Sequence, residues 1–549
     1  MSVDERKSPI HTTIWNEAAD PDHPYRSHRC FVQGYDVFGD LIRNADYLEF
    51  FYVCFFGEKP SAWQRSLLNI LGIALGDPGV RDPGVQAATV GAVGGSHAAA
   101  CLMAAIGAGS GSYGGSREVG VLVRILHSIM YKDGDKTTAF IDAANRLSEE
   151  NSVWPSRGFL LGFDPYIAHH PLPVAQLLQR LYEIVPPSKS HTAWLKNNVA
   201  SLEHIANGSV DLMFVVAVGL ADLGCSEAQA EMLTLLLRLP GAAVHALESR
   251  MAFKNYTLEE MVDYSALAPD VVRHTPTVGM ATLDFHHGVV HSGVGSIDIG
   301  RTNRATVRGC NLHDDLDDLG YIETFLFQLT GRRDWSKKDI ALIEELIRCT
   351  SYPDARIYPK RIAALCATAR ATYNIASMAA GAAHEALIYG AEAAYLTADF
   401  MQRAMARRQT GETLADIVHQ ERHERKYIKG FGRPLSGSMV DERIPHLLRK
   451  MNELGLTEGR YQKQAFEIGD LLNADTGGRI LMTYGALWPV IMLDYGLDCR
   501  QAVAFMFSLC FQPAYAAVYV DTLSKPPGVA FTTRCADVVY AGPVSRRWS

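Results

Sequence analysis

Gly34-Tyr35-Asp36, Asp40-Leu41 and Glu49-Phe50-Phe51 return later in the same chain as Gly309-Cys310-Asn311, Asp315-Leu316 and Glu323-Thr324-Phe325. Pro83 returns as Pro359, Tyr113-Gly114-Gly115 as Tyr389-Gly390-Ala391, Gly162-Phe163 as Gly430-Phe431, and Asp222-Leu223-Gly224 as Asp494-Tyr495-Gly496. The paired numbers differ by 275 (274 at Glu49), 276, 276, 268 and 272, so order and spacing hold with small insertions and deletions. A period this long lies far beyond solenoid repeats, which run roughly 20–50 residues. It predicts two copies of one whole domain, over 30–256 and 304–549, the second including a C-terminal tail. An N-terminal arm covers 1–29, and a linker with a β lead-in covers 257–303. Two related domains in one chain can meet as a homodimer would. An intramolecular pseudo-dimer about a pseudo-twofold axis is therefore expected, with further pairing of chains left open.

Composition narrows the class. The chain has 549 residues, 48% hydrophobic and 20% charged, an ordinary globular balance with length for two large cores. Its formal charge of -8 argues against a nucleic-acid surface, which needs clustered Lys and Arg. The ten cysteines are scattered without a CxxC pair and read as reduced thiols of a cytoplasmic protein. The start, MSVDERKSPIHTT, lacks the apolar core of a signal peptide. No run reaches the roughly 18 continuous apolar residues of a membrane span, so no membrane partner is expected. The Ala-rich stretch from Ala98 to Ala108 reads as a buried helix.

Helical periodicity dominates. Apolar residues at i, i+3 and i+4 recur over 61–75, 86–107, 117–130, 173–184, 209–222 and 226–248. They recur again over 336–349, 360–384, 386–405, 444–454, 480–495 and 498–522. Short strands are expected at 11–16, 30–34, 293–298 and 304–308, ahead of each copy. The fold class is all-α with small β arms.

Several motifs resemble one family. Gly430-Phe431-Gly432-Arg433-Pro434, followed by Asp441-Glu442-Arg443, resembles the G-F-G-H-P/R…D-P-R of citrate synthases. Arg238-Leu239-Pro240-Gly241 with His245 and Glu248 resembles that family's R-T-x-G-x-x-A-H-x-x-E. Gly111-Ser112-Tyr113-Gly114-Gly115 resembles G-x-x-H-G-G, and Asp77-Pro78-Gly79 with Pro83 resembles D-H-E/G…P-S-T. Arg534 with Tyr540-Ala541-Gly542-Pro543 resembles R-P-x-x-x-Y-x-G-P. Each copy is similar to the short, citryl-CoA-lyase-like form. The resemblance implies a tandem citrate-synthase-like fold, each copy a large plus a small helical domain. It also implies an acyl-CoA thioester substrate, a carboxylic or 2-oxo acid partner and no bound cofactor or metal. In this family one carboxylate removes an α-proton and one His stabilises the enolate oxygen. A second His polarises the acceptor carbonyl, and arginine forks hold acceptor carboxylates, one crossing from the partner subunit.

The sequence departs from that pattern at the chemistry. The first His is Tyr113 in copy one and Tyr389 in copy two; a phenol can still donate to an oxyanion. The second His is Arg433 in copy two, which polarises a carbonyl but gives up no proton near neutrality. In copy one the loop shortens to Gly162-Phe163-Asp164-Pro165-Tyr166, with His169 and His170 beyond. The family base falls on Met213 and Gly485. Asp211 lies two residues earlier, about 200° around a helix, and serves as base only if the helix start is rearranged; otherwise it is a helix-start carboxylate. Copy two keeps Arg443 and copy one keeps Arg238. Arg534 and Arg250 are the matching crossover residues. The resemblance therefore implies Tyr389, Arg433, Tyr113 and Asp211 as catalytic candidates. Arg443, Arg238, Arg534 and Arg250 are implied as acid-binding, with Lys429, Gly430 and Gly432 as a CoA-binding loop. His286-His287 with His291 reads as structural, and the Asp314-Asp315-Asp317-Asp318 run as a solvated helix start. Two functions follow: a specialised thioester enzyme, or a catalytically inactive binding or scaffolding protein that kept the fold.

Overall fold

The computed structural model describes residues 10–130, 134–149, 159–164, 166, 171–188, 190–252, 261–263, 280–297, 304–388, 390–432 and 440–548. It is mostly helical, as the periodicity predicts. The first elements among the described residues are strands, β1 Ile10–Thr12, β2 Trp15–Asp20 and β3 His23–Val32, followed by β4 Tyr35–Asp36. The β2-β3-β4 sheet is an antiparallel meander. A π-helical turn Val37–Leu41 and α1 Ile42–Asn44 follow. Then come α2 Tyr47–Phe56, α3 Ala62–Gly76, α4 Pro83–Val93, α5 Ala98–Gly109, α6 Ser116–Met130 and α7 Lys136–Glu149. After β5 Phe163–Asp164 run α8 Leu172–Ile184, α9 Ser190–Ala206, β6 Ser209–Val210, α10 Leu212–Asp222 and α11 Glu227–Ser249.

A connecting region holds β7 Met261–Asp263 paired parallel with β8 Val289–His291, α12 Met280–His286, and a β11-β10-β9 sheet from Cys310–Asn311, Ala305–Val307 and Gly295–Ile297. The later helices are α13 Tyr321–Thr330, α14 Lys337–Arg348, α15 Tyr358–Thr368, α16 Tyr373–Ala383, α17 Ala391–Gln409 and α18 Leu414–Arg425. They continue as α19 Arg443–Leu454, α20 Arg460–Asp475, α21 Tyr484–Asp494, α22 Cys499–Leu509 and α23 Gln512–Leu523, with β12 Val538–Tyr540 last.

Helices α2 to α11 and α13 to α23 follow one order, down to their ends. Helices α2 and α13 both stop at a left-handed glycine, Gly57 and Gly331, where a Cβ would be strained. Ser61 with Gln64 and Ser336 with Asp339 form capping boxes at the starts of α3 and α14. Asp222 accepts from the backbone N–H groups of His191 and Thr192, at 3.2 and 2.9 Å. Asp494 accepts likewise from Tyr461 and Gln462, at 2.9 and 3.0 Å. Phe163 pairs with Val210 ahead of α10, and Phe431 bridges Met482 ahead of α21. Helix α11 carries Pro240 internally; the matching stretch breaks at Cys510–Phe511, with Pro513 in the first turn of α23. Each set surrounds its own large apolar cluster, one centred on α3, α6 and α10, the other on α14, α17, α20 and α21.

Three expectations change. Residues 86–107, 360–384 and 498–522 are each two helices with a break between them. Helices α1, α2, α7, α9, α12, α13, α18 and α20 lie outside the expected helical stretches. Helix α5 buries only Cys101, Ala105 and Gly109, so the Ala-rich stretch is a half-exposed helix. The interface also differs. Among the described residues the two helical sets join chiefly through their tails. Strand β1 pairs parallel with β12, Arg546 pairs with Glu58 at 2.8 Å, and Trp548 packs edge-on against Tyr35. Arg117 to Glu392, at 3.8 Å, links α6 with α17. No extensive helix-on-helix packing joins α2–α11 to α13–α23 among the described elements. Large apolar side chains stay exposed on both sides, including Val90, Met232 and Leu247, and Leu365, Met378 and Val520. Glu227–Ser249 and Cys499–Leu523 are long and apolar enough to cross a membrane by length and composition alone; both are partly buried here. The ten cysteines are free thiols, and burial pushes Cys225 and Cys510 up to about 12.

Candidate functional site

The Gly162 loop and the start of α10 define the first candidate site. Gly162, at φ +83°, has no space for a Cβ: Phe214 and Leu122 would lie within about 3.3 Å of it. Its carbonyl accepts from Asp211 N–H at 3.1 Å, and its N–H donates to Glu118 at 3.1 Å. Glu118, fully buried, also accepts from Gly114 N–H at 2.6 Å, so one carboxylate ties both glycine loops together. Asp211 is the N-cap of α10, its Oδ1 accepting from Phe214 N–H at 2.8 Å. The helix-start role is therefore what the structure gives this residue. Tyr113 sits above, edge-on to Phe159 with ring centroids 5.6 Å apart. Desolvation, then the nearby Asp164, Tyr166, Asp211 and Glu118, push its phenol up to about 12. The phenol thus stays protonated as a donor, with Asp164 and Asp211 near it.

Arg238 completes this half. It is buried, donates to Gly114 O at 2.9 Å and pairs with Asp82, the N-cap of α4. A small cavity beside it is lined by Asp82, Val85, Ala105, Ile106 and Arg238, among others. The upstream turn follows its motif: His245 approaches Asp77 at 3.3 Å. Arg250 is exposed at the C-cap of α11. Arg534 precedes the short 3₁₀ turn Cys535–Asp537, which packs on β2 and β3. The crossover expectation places Arg534 at the Arg238 site; the tail instead meets β2 and β3 of the N-terminal sheet.

The second site gathers on α21. Gly430, at φ +87°, lies so close to Ala486 that a Cβ would come within 2.8 Å of it. Its carbonyl accepts from Thr483 N–H at 3.0 Å and Oγ1 at 2.8 Å. Gly432, at φ +80°, donates to Leu481 O at 2.7 Å, and Lys429 is half-buried in the same turn. Asp441 reaches the same helix start, accepting from Tyr484 N–H at 2.9 Å. It also holds Arg443 through two bonds of 2.8 and 2.7 Å, and Arg443 stacks 4.6 Å from the Tyr484 ring. Burial opposes charge on Asp441, but Arg443 and the Tyr484 N–H hold it below the usual carboxylate range. Tyr389, Arg433, His169 and His170 lie outside the described residues.

Packing also corrects one repeat register. Buried positions two, three, six and ten of α4 are Gly84, Val85, Ala88 and Ala92; those of α15 are Pro359, Lys360, Ala363 and Ala367. Pro83 therefore matches Tyr358, one residue from Pro359. Ala242 packs with Ala88 and Ala105 as Tyr515 packs with Ala363 and Ala380. Four residues earlier, Arg238 matches Phe511. Sequence reasoning missed the residue this exposes. Lys360 is 2% exposed, with its amine 4.4 Å from the Tyr352 ring and 5.6 Å from that of Phe511. Burial lowers it to about 8. Nearby, burial lowers His384 to about 4, its Nδ1 bonded to the Tyr515 hydroxyl.

Glu345, Cys349 and His446 also converge, their donor atoms within 4.8 Å. His446 bonds Glu345 at 2.8 Å, Arg449 donates to His446 Nδ1 at 2.9 Å, and Arg348 pairs with Glu345. These donors form a polar network flanking Arg443. The Asp314–Asp318 run is a turn rather than a helix start, with Asp315 capping Asn311 N–H at 2.6 Å and Asp318 held by Arg333 at 2.8 Å.

Comparison with protein-family models gives no match, and no curated protein matches the sequence. Among solved structures, citryl-CoA lyase from Hydrogenobacter thermophilus is similar over 47% of this chain and 97% of its own, at 19% identity and TM-score 0.42. ATP citrate lyase from Methanothrix soehngenii is similar over 68% of this chain and 61% of its own, at 15% identity and TM-score 0.39. Citrate synthase from Thermoplasma acidophilum is similar over 98% and 95%, at 13% identity and TM-score 0.33.

Proposed function

We propose that the chain is two diverged copies of a citrate-synthase-like unit. It acts on an acyl-CoA or related thioester and a carboxylic or 2-oxo acid, making or breaking a carbon–carbon bond through an enolate. The repeated helix order, caps and glycine turns support the duplication, with domains over 30–256 and 304–549. One observation carries the chemistry: Tyr113, 57% exposed, stands at the Gly114 turn, which the buried Glu118 carboxylate ties to the Gly162 loop. In this reading the phenol donates to the thioester oxygen while Asp211, released from Phe214 N–H by a rearrangement of the α10 start, takes the α-proton. That leaves an enolate whose charge rests on the oxygen facing Tyr113. In the second half, the Gly430–Gly432 turn and Arg443 share the start of α21, which supports a thioester loop next to an acid-binding arginine. The exposed apolar faces of α4, α11, α15 and α23 support pairing, within the chain or between two chains. No resident cofactor or metal is required.

The experiment is α-proton exchange of acetyl-CoA in deuterated water, with and without a panel of 2-oxo acids. Exchange that falls about 10²–10³-fold in Tyr113→Phe supports the enolate. Absence of exchange and of CoA release across the panel favours the second reading, a binding or scaffolding protein. A specific observation supports that alternative: Arg238 and Arg443 are each already paired with a protein carboxylate. Ordinary citrate synthesis from acetyl-CoA and oxaloacetate is expected to be absent or very slow in either case.

A further inference from the structure

The two halves treat one buried cation differently. In the first, Arg238 on α11 meets Asp82, which also caps Gly84 and Val85 at the start of α4. In the second, Phe511 takes the arginine's position and Ile357 that of the capping aspartate. A cation returns one turn along, as Lys360 in place of Val85. Its counter-carboxylate does not. Among the described residues Lys360 has no ion pair, and Asp354 beside it is already bound bidentately by Arg356. A buried ammonium without a carboxylate is costly, and an arriving anion recovers that cost.

We propose that Lys360 is the receiving cation of a carboxylate seat in the second half, filled by the acid ligand where Asp82 fills the first half's seat from within. The proposal deepens the function above, because its ligand is that reading's acid. Tyr352, 45% exposed, forms the outer wall over the amine. Arg443, itself held by Asp441, adds to the positive field at Lys360. The groups facing Lys360 are Tyr358 on its own helix, Tyr352 and Asp354 before it, His384 at the end of α16, Tyr515 and Phe511 on α23, and Arg443 on α19. Asp354 is lowered to about 2 and His384 to about 4, while Tyr358 and Tyr515 are raised. Lys360 is thus the group that changes charge near pH 8.

The test is isothermal titration of the full chain with acetate, glyoxylate, succinate and 2-oxoglutarate. Expected is binding of at least one acid that weakens tenfold or more in Lys360→Met, and less in Lys360→Arg, since a desolvated charge pair is at stake. Ile357→Asp installs the missing internal carboxylate and is expected to weaken binding by a similar factor. Above pH 8 the native affinity falls about tenfold per unit, a slope lost in Lys360→Met. Melting curves confirm that each variant is folded. Equal binding by Lys360→Met, or no binding of any acid by the native chain, overturns the proposal. Lys360-dependent acid binding without thioester exchange overturns the enolate reading alone, and the reverse result overturns this one alone.

Discussion

Arg238 and Lys360 occupy neighbouring places in two similarly built half-molecules, yet one is ion-paired by its own chain and the other, among the described residues, is not. The first half resembles a lock with its key cast in place: Asp82 pairs the arginine and caps the helix, and Glu118 binds both glycine loops. The second half has no counterpart to Asp82, and Ala393 stands six residues before Asp399 in α17 where the first half's helix carries Glu118 near its start. A duplicated frame can therefore keep its backbone devices while its buried charges diverge. Cap and turn positions answer to local geometry; a buried charge answers only to its partner.

The sharpest way to break this contrast is to remove each cation. Arg238→Met strands Asp82 and is expected to cost about 3–5 kcal/mol in urea unfolding. Lys360→Met is expected to change stability in the opposite direction. The folded-state value of about 8 lies below the ordinary 10.5 of lysine. The penalty is therefore full below pH 8, and it is relieved as pH rises from 8 toward 10.5. The variant's advantage should be present at pH 7 and shrink over that window. Equal losses from both variants would erase the distinction between the halves.

A milder contrast lies at the paired carboxylates Asp222 and Asp494. Burial opposes ionisation at both. At Asp222, bonds from His191 and Thr192 win and the carboxyl is lowered; at Asp494, burial wins over the Tyr461 and Gln462 N–H groups and it is raised. Asp222→Asn should cost about 1–3 kcal/mol at pH 7, and Asp494→Asn less. The Asp222 contribution is present above the unfolded value and is lost as pH falls through the folded one. For Asp494 the sign reverses: its charged form is a burden above its raised folded value. Acid unfolding of the two variants measures both.

His384 offers a smaller test. Its folded value near 4 lies below the ordinary 6.5, so the unfolded chain binds the extra proton between them. Stability should fall as pH drops from 6.5 to 4, and His384→Gln should flatten that slope. The smallest effect on stability is expected at the exposed faces. Leu247→Asp and Val520→Asp should shift unfolding by less than about 0.5 kcal/mol. Sedimentation would show a change in shape or association if those faces pair, and no change if they do not.

Much of this was legible in the sequence. The all-α class, the longer apolar helices and the motif loops were readable because periodic apolar residues and left-handed glycines are local signals. Helices α18 and α20 escaped because they are rich in Glu, Arg, Gln and Lys, with short apolar stripes. Helix α5 was overread as buried because an Ala/Gly composition packs closely on one side without being enclosed. The Pro83–Pro359 match slipped by one because proline fits either of the first helical positions; only the buried alanines fix the register. Lys360 was invisible for a related reason. A lysine in a helix normally reads as surface, and nothing in its neighbours announces that Tyr352 and Phe511 close over it.

The tail clasp described earlier also sets a clock. Trp548 belongs to the small apolar cluster of Val32, Tyr35, Leu41 and Val53, and Arg546 bonds to Gln33 O at 2.7 Å. Those partners are synthesised about 500 residues apart. At roughly 5–20 residues per second, the N-terminal sheet waits on the order of a minute for the residues that finish it. The first half can assemble its large core early, but its outer edge stays open until Arg546 and Trp548 have been made. Chains that lack those residues would present β1 and the Tyr35 face uncovered, a surface that the folded molecule hides.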